Sequence, residues 1–274
     1  MLGAELSLID RRILAAGWLF VLAYQMVFTC YALTAAYVRG AMSGSIRGAM
    51  SPVVQLMMLL SNGGIIAWIF VLDRTMQPRF ALIGLAVCSV CSYSAMVLFN
   101  KTFEQIHAGG SAEVSCGYTC THLLINSGLA FVTSWSTCVL LNHVCDVIAS
   151  YTSLNTEYII YIFIGAIFVC SSVWFCFDMF YFRRRTLLVF SPYLACLATT
   201  AAILWEALKL DMKPLVPLLT AVIAGLIWIM ILSKLIANCV RSSKKRLKNR
   251  AVYKENGTAS ASHDKNNDIT NTYL

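Results

Sequence analysis

Seven long runs of this sequence contain no Asp, Glu, Lys or Arg, and they decide what the chain can fold into. A helix that crosses a bilayer needs about 20 predominantly apolar residues. Inside lipid the backbone polar groups must be paired within the protein, and a helix pairs them within one segment. The sequence therefore predicts an all-α integral membrane protein. The charge-free runs are Ile13–Val38, Gly48–Leu72, Phe80–Asn100, Val114–Cys145, Tyr158–Phe177, Thr186–Trp205 and Pro214–Ser233.

The composition supports this interpretation. Of 274 residues, 59% are hydrophobic and 12% are charged, whereas soluble domains carry about 25% charged residues. So little charge excludes a water-soluble enzyme and a disordered chain. We predict a bundle of seven transmembrane helices between a short N-terminus, Met1–Arg12, and a tail, 241–274. The predicted spans lie at about 13–38, 50–72, 80–100, 120–145, 158–180, 186–207 and 214–237.

The basic residues predict how the bundle is oriented. Between Arg241 and Lys254 the chain has seven Lys or Arg and no acid. A basic cluster directly after a span is typical of a cytoplasmic segment that contacts anionic lipid, and we prefer this to nucleic-acid binding. Seven spans then place the N-terminus outside and the C-terminus in the cytoplasm, with 15 basic residues inside and 6 outside. Without Lys234 and the tail the two sides are equal.

The fourth run leaves an alternative open because it carries the most polar residues. If it did not insert, Lys101–Glu157 would be an outer loop and both termini would be cytoplasmic. That loop would hold four cysteines suited to disulfides. The apolar character of the run favours seven spans. The four cysteines are Cys116, Cys120, Cys138 and Cys145.

Prolines and aromatic residues mark the predicted helix ends. Pro52 and Pro214 fall in first turns, where proline costs little, whereas Pro192 lies about two turns into the sixth run and predicts a kink. Aromatic residues near run ends predict an interfacial belt. They are Trp18, Tyr158, Trp174 and Trp205.

The acidic residues and Lys234 fall at run boundaries, within expected reach of water. We expect Asp178 to pair with Arg183–Arg185, and Glu206 with Lys209. Proton-coupled carriers and voltage sensors need charged residues inside spans, so this distribution disfavours both classes. It also disfavours a retinal protein, which needs a mid-helix lysine. The boundary residues are Asp73, Asp146, Asp178, Glu206 and Lys234.

Neutral polar residues remain inside the spans. In the fourth span small and polar residues recur every three or four positions from Asn126 to Asn142, which predicts one polar face. Asn62-Gly63-Gly64 is a comparable patch in the second span. Such faces favour close helix packing and a central fourth helix. They also predict a possible polar cavity for a ligand or permeant solute, lined by Asn62, Asn126, Ser134, Asn142 and His143.

Catalytic and cofactor motifs are missing from the sequence. The four histidines form no metal-binding spacing, and His143 with Asp146 offers two ligands at most. Cys88 and Cys91 form a CxxC inside an apolar helix, where a reactive thiol is not expected. We therefore predict no enzyme, no cofactor and no metal site.

The tail carries two candidate sites. Thr272, Tyr273 and Leu274 end the sequence in the pattern that PDZ domains bind. Cys239, beside the basic cluster, is a possible palmitoylation site. From Glu255 onward the tail is polar and is expected to be disordered.

Seven spans and a basic cytoplasmic tail are similar in topology to G-protein-coupled receptors. The third span, however, ends Asn100-Lys101-Thr102 without an acidic-Arg-aromatic triplet, and the seventh lacks Asn-Pro-x-x-Tyr. The sequence therefore supports no family assignment. It predicts a non-enzymatic multi-pass membrane protein, receptor-like or adaptor-like, whose tail recruits partners. The alternative is a small channel or facilitator that conducts a solute past the polar face of the fourth helix.

Overall fold

The structure, a computed structural model, describes residues 15–27, 51–75, 78–108, 116–152, 154–181, 189–240 and 243, with side chains for all of these except 72–79, 103–122 and 181. These residues form seven helices, as predicted. They are α1 Ala15–Val27, α2 Pro52–Thr75, α3 Pro78–Ala108, α4 Cys116–Tyr151, α5 Thr156–Cys176, α6 Ser191–Lys209 and α7 Leu215–Val240. A single π-helical turn, Phe177–Tyr181, continues α5.

Six of these helices are long and apolar enough to cross a membrane, and the chain is a multi-pass membrane protein. Helix α1 is apolar but has only 13 described residues, and the rest of the predicted first span lies outside the described residues. The apolar segments of the other six are Pro52–Val71, Phe80–Thr102, Leu123–Tyr151, Thr156–Phe180, Ser191–Lys209 and Leu215–Val240.

Helix α4 lies at the centre of the bundle. It packs against α3, α5 and α6. In its apolar 18-residue stretch 61% is buried inside the protein, the largest share among the six spanning helices. The alternative in which Lys101–Glu157 forms a loop is wrong, because Lys101–Ala108 belongs to α3 and Cys116–Tyr151 is one continuous helix. Some polar residues of this run contact other helices, and others, such as Thr133 and Thr137, bond carbonyls of their own helix.

Helices α2 and α3 meet backbone to backbone at two glycines. A Cβ atom added to Gly64 would lie 2.6 Å from the carbonyl oxygen of Gly84, and one added to Gly84 would lie 2.8 Å from the carbonyl oxygen of Gly64. Small residues permit such close approach between membrane helices. The neighbouring Gly63 is different, since a Cβ there meets nothing within 4 Å.

The prediction that Pro192 kinks the sixth span is wrong. Helix α6 begins at Ser191, after the cap residue Phe190, so Pro192 lies in the first turn. A proline there costs little, because the first N–H groups of a helix have no partner within it.

The aromatic belt is correct in part. Trp205 and Tyr158 are exposed near helix ends, but Trp18 is buried and its ring centroid lies 5.4 Å from that of Trp68. Trp18 therefore belongs to the core between α1, α2 and α4. The same core cluster includes Val21, Ile65, Leu85, Val132, Trp135 and Val139.

The chain divides into two compact units, residues 1–229 and 230–274. In the first unit α7 buries one side, through Val216, Thr220, Ile223 and Ile227. Of the second unit the structure describes the end of α7 and Ser243.

Candidate functional site

The structure distributes the five residues of the predicted polar cavity over four places in the bundle. Asn142 and His143 lie together near the end of α4, whereas Asn62, Asn126 and Ser134 each lie elsewhere. Their role in binding a ligand stays a prediction.

Asn62 accepts a hydrogen bond from Gln25, with 2.8 Å between Gln25 Nε2 and Asn62 Oδ1. Gln25 also lines a cavity of about 20 Å³ together with Tyr24, Ser61, Ser92 and Gly128. A cavity of this size holds about one water molecule. The hydroxyl oxygen of Tyr24 is buried without a hydrogen-bond partner, so a single water in this cavity would have a polar group to bond.

Asn126 pairs with Asn100 of α3. The Asn100 amide donates to Asn126 Oδ1 over 3.0 Å and to the Met96 carbonyl over 2.9 Å. Both asparagines are fully buried. A hydrogen bond across two membrane helices contributes about 0.6–2 kcal/mol, so this pair helps to hold α3 against α4.

Ser134 lines a second cavity of about 20 Å³ between α3, α4, α5 and α6. Three cysteines from three helices line the same cavity, and two of them, Cys138 and Cys196, are hydrogen-bonded to each other. This cavity also has room for about one water. The three cysteines are Cys138, Cys170 and Cys196.

His143 contacts Trp68 of α2. The indole N–H of Trp68 donates to His143 Nε2 over 3.2 Å, and the two ring centroids lie 5.6 Å apart at 69°. Because a neutral imidazole has one N–H and one acceptor nitrogen, accepting at Nε2 places the proton on Nδ1. Trp68 therefore selects the tautomer of His143.

Asp146 lies one helical turn beyond His143. His143 Nδ1 is 3.5 Å from Asp146 Oδ2, and the Asn142 amide nitrogen is also 3.5 Å from this oxygen. The Asp146 side chain is 22% exposed. Asp146 was expected at the water boundary, and it is instead more than three-quarters buried beside two polar neighbours.

The three residues leave buried polar atoms without a hydrogen-bond partner in the structure. These atoms are Asn142 Oδ1, His143 Nδ1 and Asp146 Oδ1. A buried polar atom without a partner costs about 1–3 kcal/mol, and here three such atoms occupy one stretch of α4. We call Asn142, His143 and Asp146 the α4 polar cluster.

Two further predictions concern acidic residues. Asp178 is buried, and its Oδ2 accepts a hydrogen bond from the Tyr193 hydroxyl over 3.0 Å; its expected reach to water is therefore wrong. Arg183–Arg185 lie outside the described residues. The Glu206–Lys209 pair is confirmed, at 3.5 Å.

The tail sites fall mostly outside the described residues. This holds for Thr272, Tyr273 and Leu274 and for the basic cluster apart from Ser243. Cys239 is described and is exposed near the end of α7. The PDZ ligand, the lipid contact and palmitoylation stay predictions.

Sequence reasoning placed Asn142 and His143 in a polar cavity but missed Trp68, which was not singled out. The i,i+3 spacing of His143 and Asp146 was the signal in the sequence for this cluster, although such a pair also suggests two metal ligands. Within the described ranges, no group of three or more His, Cys, Asp or Glu residues could hold a metal ion together. Comparisons with models of known protein families, with curated proteins and with solved structures gave no match.

Proposed function

We propose that the protein is a non-enzymatic, receptor-like or adaptor-like membrane protein whose C-terminal tail recruits cytoplasmic partners. The observation that supports this most is the packing of the interior. The cavities at Tyr24 and at Ser134 each have room for about one water. The polar side chains of α4 contact α2 and α3. A bundle of this kind suits a membrane anchor that presents a tail.

The tail supplies the recruiting part of the proposal. Thr272, Tyr273 and Leu274 match the pattern that PDZ domains bind by strand addition and capture of the terminal carboxylate. The basic cluster between Arg241 and Lys254 would hold the start of the tail near anionic lipid. Cys239, exposed near the end of α7, could receive a lipid chain beside it.

The experiment is a pull-down from a cytoplasmic extract with a peptide of residues 265–274. The matched control peptide lacks Leu274 and is otherwise identical. We expect a PDZ-domain protein on the complete peptide alone. If the same proteins bind both peptides, the proposed PDZ interaction is wrong.

The second candidate function is a small channel or facilitator along α4. Polar residues extend from Asn126 to Asp146, which is about 30 Å of helix and thus about the thickness of the hydrocarbon core. Buried polar atoms without partners occur along this path, among them Asn126 Nδ2 and the Tyr24 hydroxyl. Between Ser136 and Asn142, however, Leu85 and Val139 are fully buried in an apolar layer. Conduction would require this layer to open.

Flux measurements separate the two candidates. Purified protein in liposomes is loaded with a small polar solute, and its release is compared for wild type, Asn126→Leu and Ser134→Leu. We expect no protein-dependent release if the protein is a receptor or adaptor. A release that either substitution abolishes would favour the facilitator and would contradict the first proposal.

A further inference from the structure

We propose that the α4 polar cluster is a binding site for a small organic cation, namely a primary ammonium group. This inference deepens the receptor-like part of the proposed function and does not depend on the tail. It starts from Asp146, a carboxylate whose two oxygens have different surroundings in the structure.

One oxygen of Asp146 already faces donors of the protein. Oδ2 lies 3.5 Å from both His143 Nδ1 and the Asn142 amide nitrogen. Trp68 makes Nδ1 the protonated nitrogen of His143, because its indole N–H donates to Nε2. The Asn142 amide donates a hydrogen bond to Oδ2, whereas the Nδ1–H of His143 lies 3.5 Å from Oδ2 without making one.

The other oxygen of Asp146 is buried and has no hydrogen-bond partner in the structure. Asp146 Oδ1 and Asn142 Oδ1 are both buried acceptors without a hydrogen-bond partner. The two residues are four positions apart and lie on the same face of α4, in adjacent turns. Asn142 is more than nine-tenths buried. The cluster thus offers a negative charge and two free acceptor oxygens to a group that donates hydrogen bonds.

A primary ammonium group has the matching chemistry. It carries a positive charge and three N–H donors and accepts nothing. It could donate to Asp146 Oδ1 and Asn142 Oδ1 while its charge compensates the carboxylate. Charge-assisted hydrogen bonds of this type are about twice as strong as neutral ones. The Asp146 side chain is 22% exposed although its Oδ1 is buried, so the side chain must turn for such a group to reach this oxygen.

A divalent metal ion fits less well. The lone pair of His143 is directed at Trp68, so its other nitrogen is an N–H and cannot coordinate. The cluster then supplies oxygens from Asn142 and Asp146 alone, whereas Ca²⁺ and Mg²⁺ take at least six ligands. The geometry therefore favours a hydrogen-bond donor over a coordinated ion.

The test uses the full-length protein, purified in detergent at about pH 8.5, where a primary amine is still protonated. Thermal unfolding is followed while sodium chloride is replaced stepwise, at constant ionic strength, by methylammonium chloride or tetramethylammonium chloride. Methylammonium is expected to raise the Tm with saturation. Tetramethylammonium has the same charge and no N–H, and it is expected to leave the Tm unchanged.

Three outcomes of this comparison overturn the proposal, and none depends on a variant. They are equal shifts with both salts, no shift with methylammonium, and a fall of the Tm in both series as sodium is withdrawn. The last result would mean that the Asn142 and Asp146 oxygens bind sodium and not an ammonium group. Because the measurement does not involve the tail, its failure is distinguishable from failure of the pull-down.

Substitutions then locate the site. Asp146→Asn is expected to weaken the apparent affinity for methylammonium about tenfold or more, since it removes the charge. Asp211→Asn is the matched control, because Asp211 lies in an exposed turn with φ of 49°, a conformation that asparagine accepts. It is expected to leave the affinity unchanged. Unchanged affinity in Asp146→Asn would contradict the assignment.

Discussion

Trp68 and His143 are hydrogen-bonded over 3.2 Å although 75 residues separate them in the chain. This bond joins α2 to α4 at the end of the bundle where Asp146 lies. It also determines which nitrogen of His143 carries the proton, and hence which group faces Asp146. The indole of Trp68 packs in addition on Trp18, so one side chain connects three helices.

Replacing Trp68 by Phe removes the N–H donor and keeps an aromatic ring. We expect a loss of about 1–3 kcal/mol in the free energy of unfolding, because His143 Nε2 stays buried without its partner. Denaturant unfolding in detergent measures this change. Trp205→Phe is the control, since Trp205 is 63% exposed near a helix end, and it is expected to change the stability little. Equal losses in the two variants would contradict a special role of the bond.

The helices were predictable from the sequence, but the partners of their side chains were not. A run without charge must be helical in lipid, whatever its contacts. Which face of that helix contacts a neighbour can be predicted only where polarity differs around the helix axis. In most of these helices apolar residues such as Leu, Val and Cys occur on every side. Asn126 was therefore recognisable as a packing residue, whereas its pairing with Asn100 was not.

The ends of the runs were the least predictable feature. A charge-free run can begin before its helix does, as at Pro192, where residues 189 and 190 are not helical and the helix begins at Ser191. An acidic residue at the end of a run can also be covered by other helices. Asp178 is such a case, because the Tyr193 hydroxyl of α6 donates a hydrogen bond to it. No local sequence pattern predicts this contact.

The Asn100–Asn126 bond is expected to contribute a measurable coupling between α3 and α4. A double-mutant cycle of Asn100→Leu and Asn126→Leu should give a coupling free energy of about 0.6–1.7 kcal/mol. Unfolding of the four proteins in detergent provides the values. The control cycle combines Asn126→Leu with Ser94→Ala, because Ser94 is half-buried and its hydroxyl donates to the Val90 carbonyl within α3. A coupling of the same size in the control cycle would argue against the bond.

Lys213 and Glu157 form an exposed ion pair with 2.7 Å between Lys213 Nζ and Glu157 Oε2. The hydrogen bond to Glu157, followed by its charge, raises the pKa of Lys213 above its ordinary value of 10.5. A lysine whose pKa is raised in the folded protein stabilises the fold below the ordinary value, and this contribution is lost as the pH rises through the raised value.

We therefore expect Lys213→Gln to lower the Tm slightly at pH 8, and the difference from wild type to disappear above the raised pKa. Thermal unfolding of both proteins between pH 8 and about 11.5 measures this. High salt at pH 8 should reduce the difference as well, because exposed pairs are screened. A difference that is the same at every pH would mean that Lys213 acts through packing instead of charge.

Gly64 and Gly63 provide the sharpest test of the α2–α3 contact, because adjacent residues have opposite surroundings. A Cβ on Gly64 would lie 2.6 Å from the Gly84 oxygen and 2.8 Å from the Cys88 nitrogen, both backbone atoms that cannot turn away. Gly64→Ala must push the helices apart, and overpacking of this kind costs about 1–3 kcal/mol. Gly63→Ala meets open space and should be neutral or slightly stabilising, because alanine favours the helix. The measurement is the free energy of unfolding of both variants in detergent. Similar values for the two would show that the helices do not meet at Gly64 and Gly84.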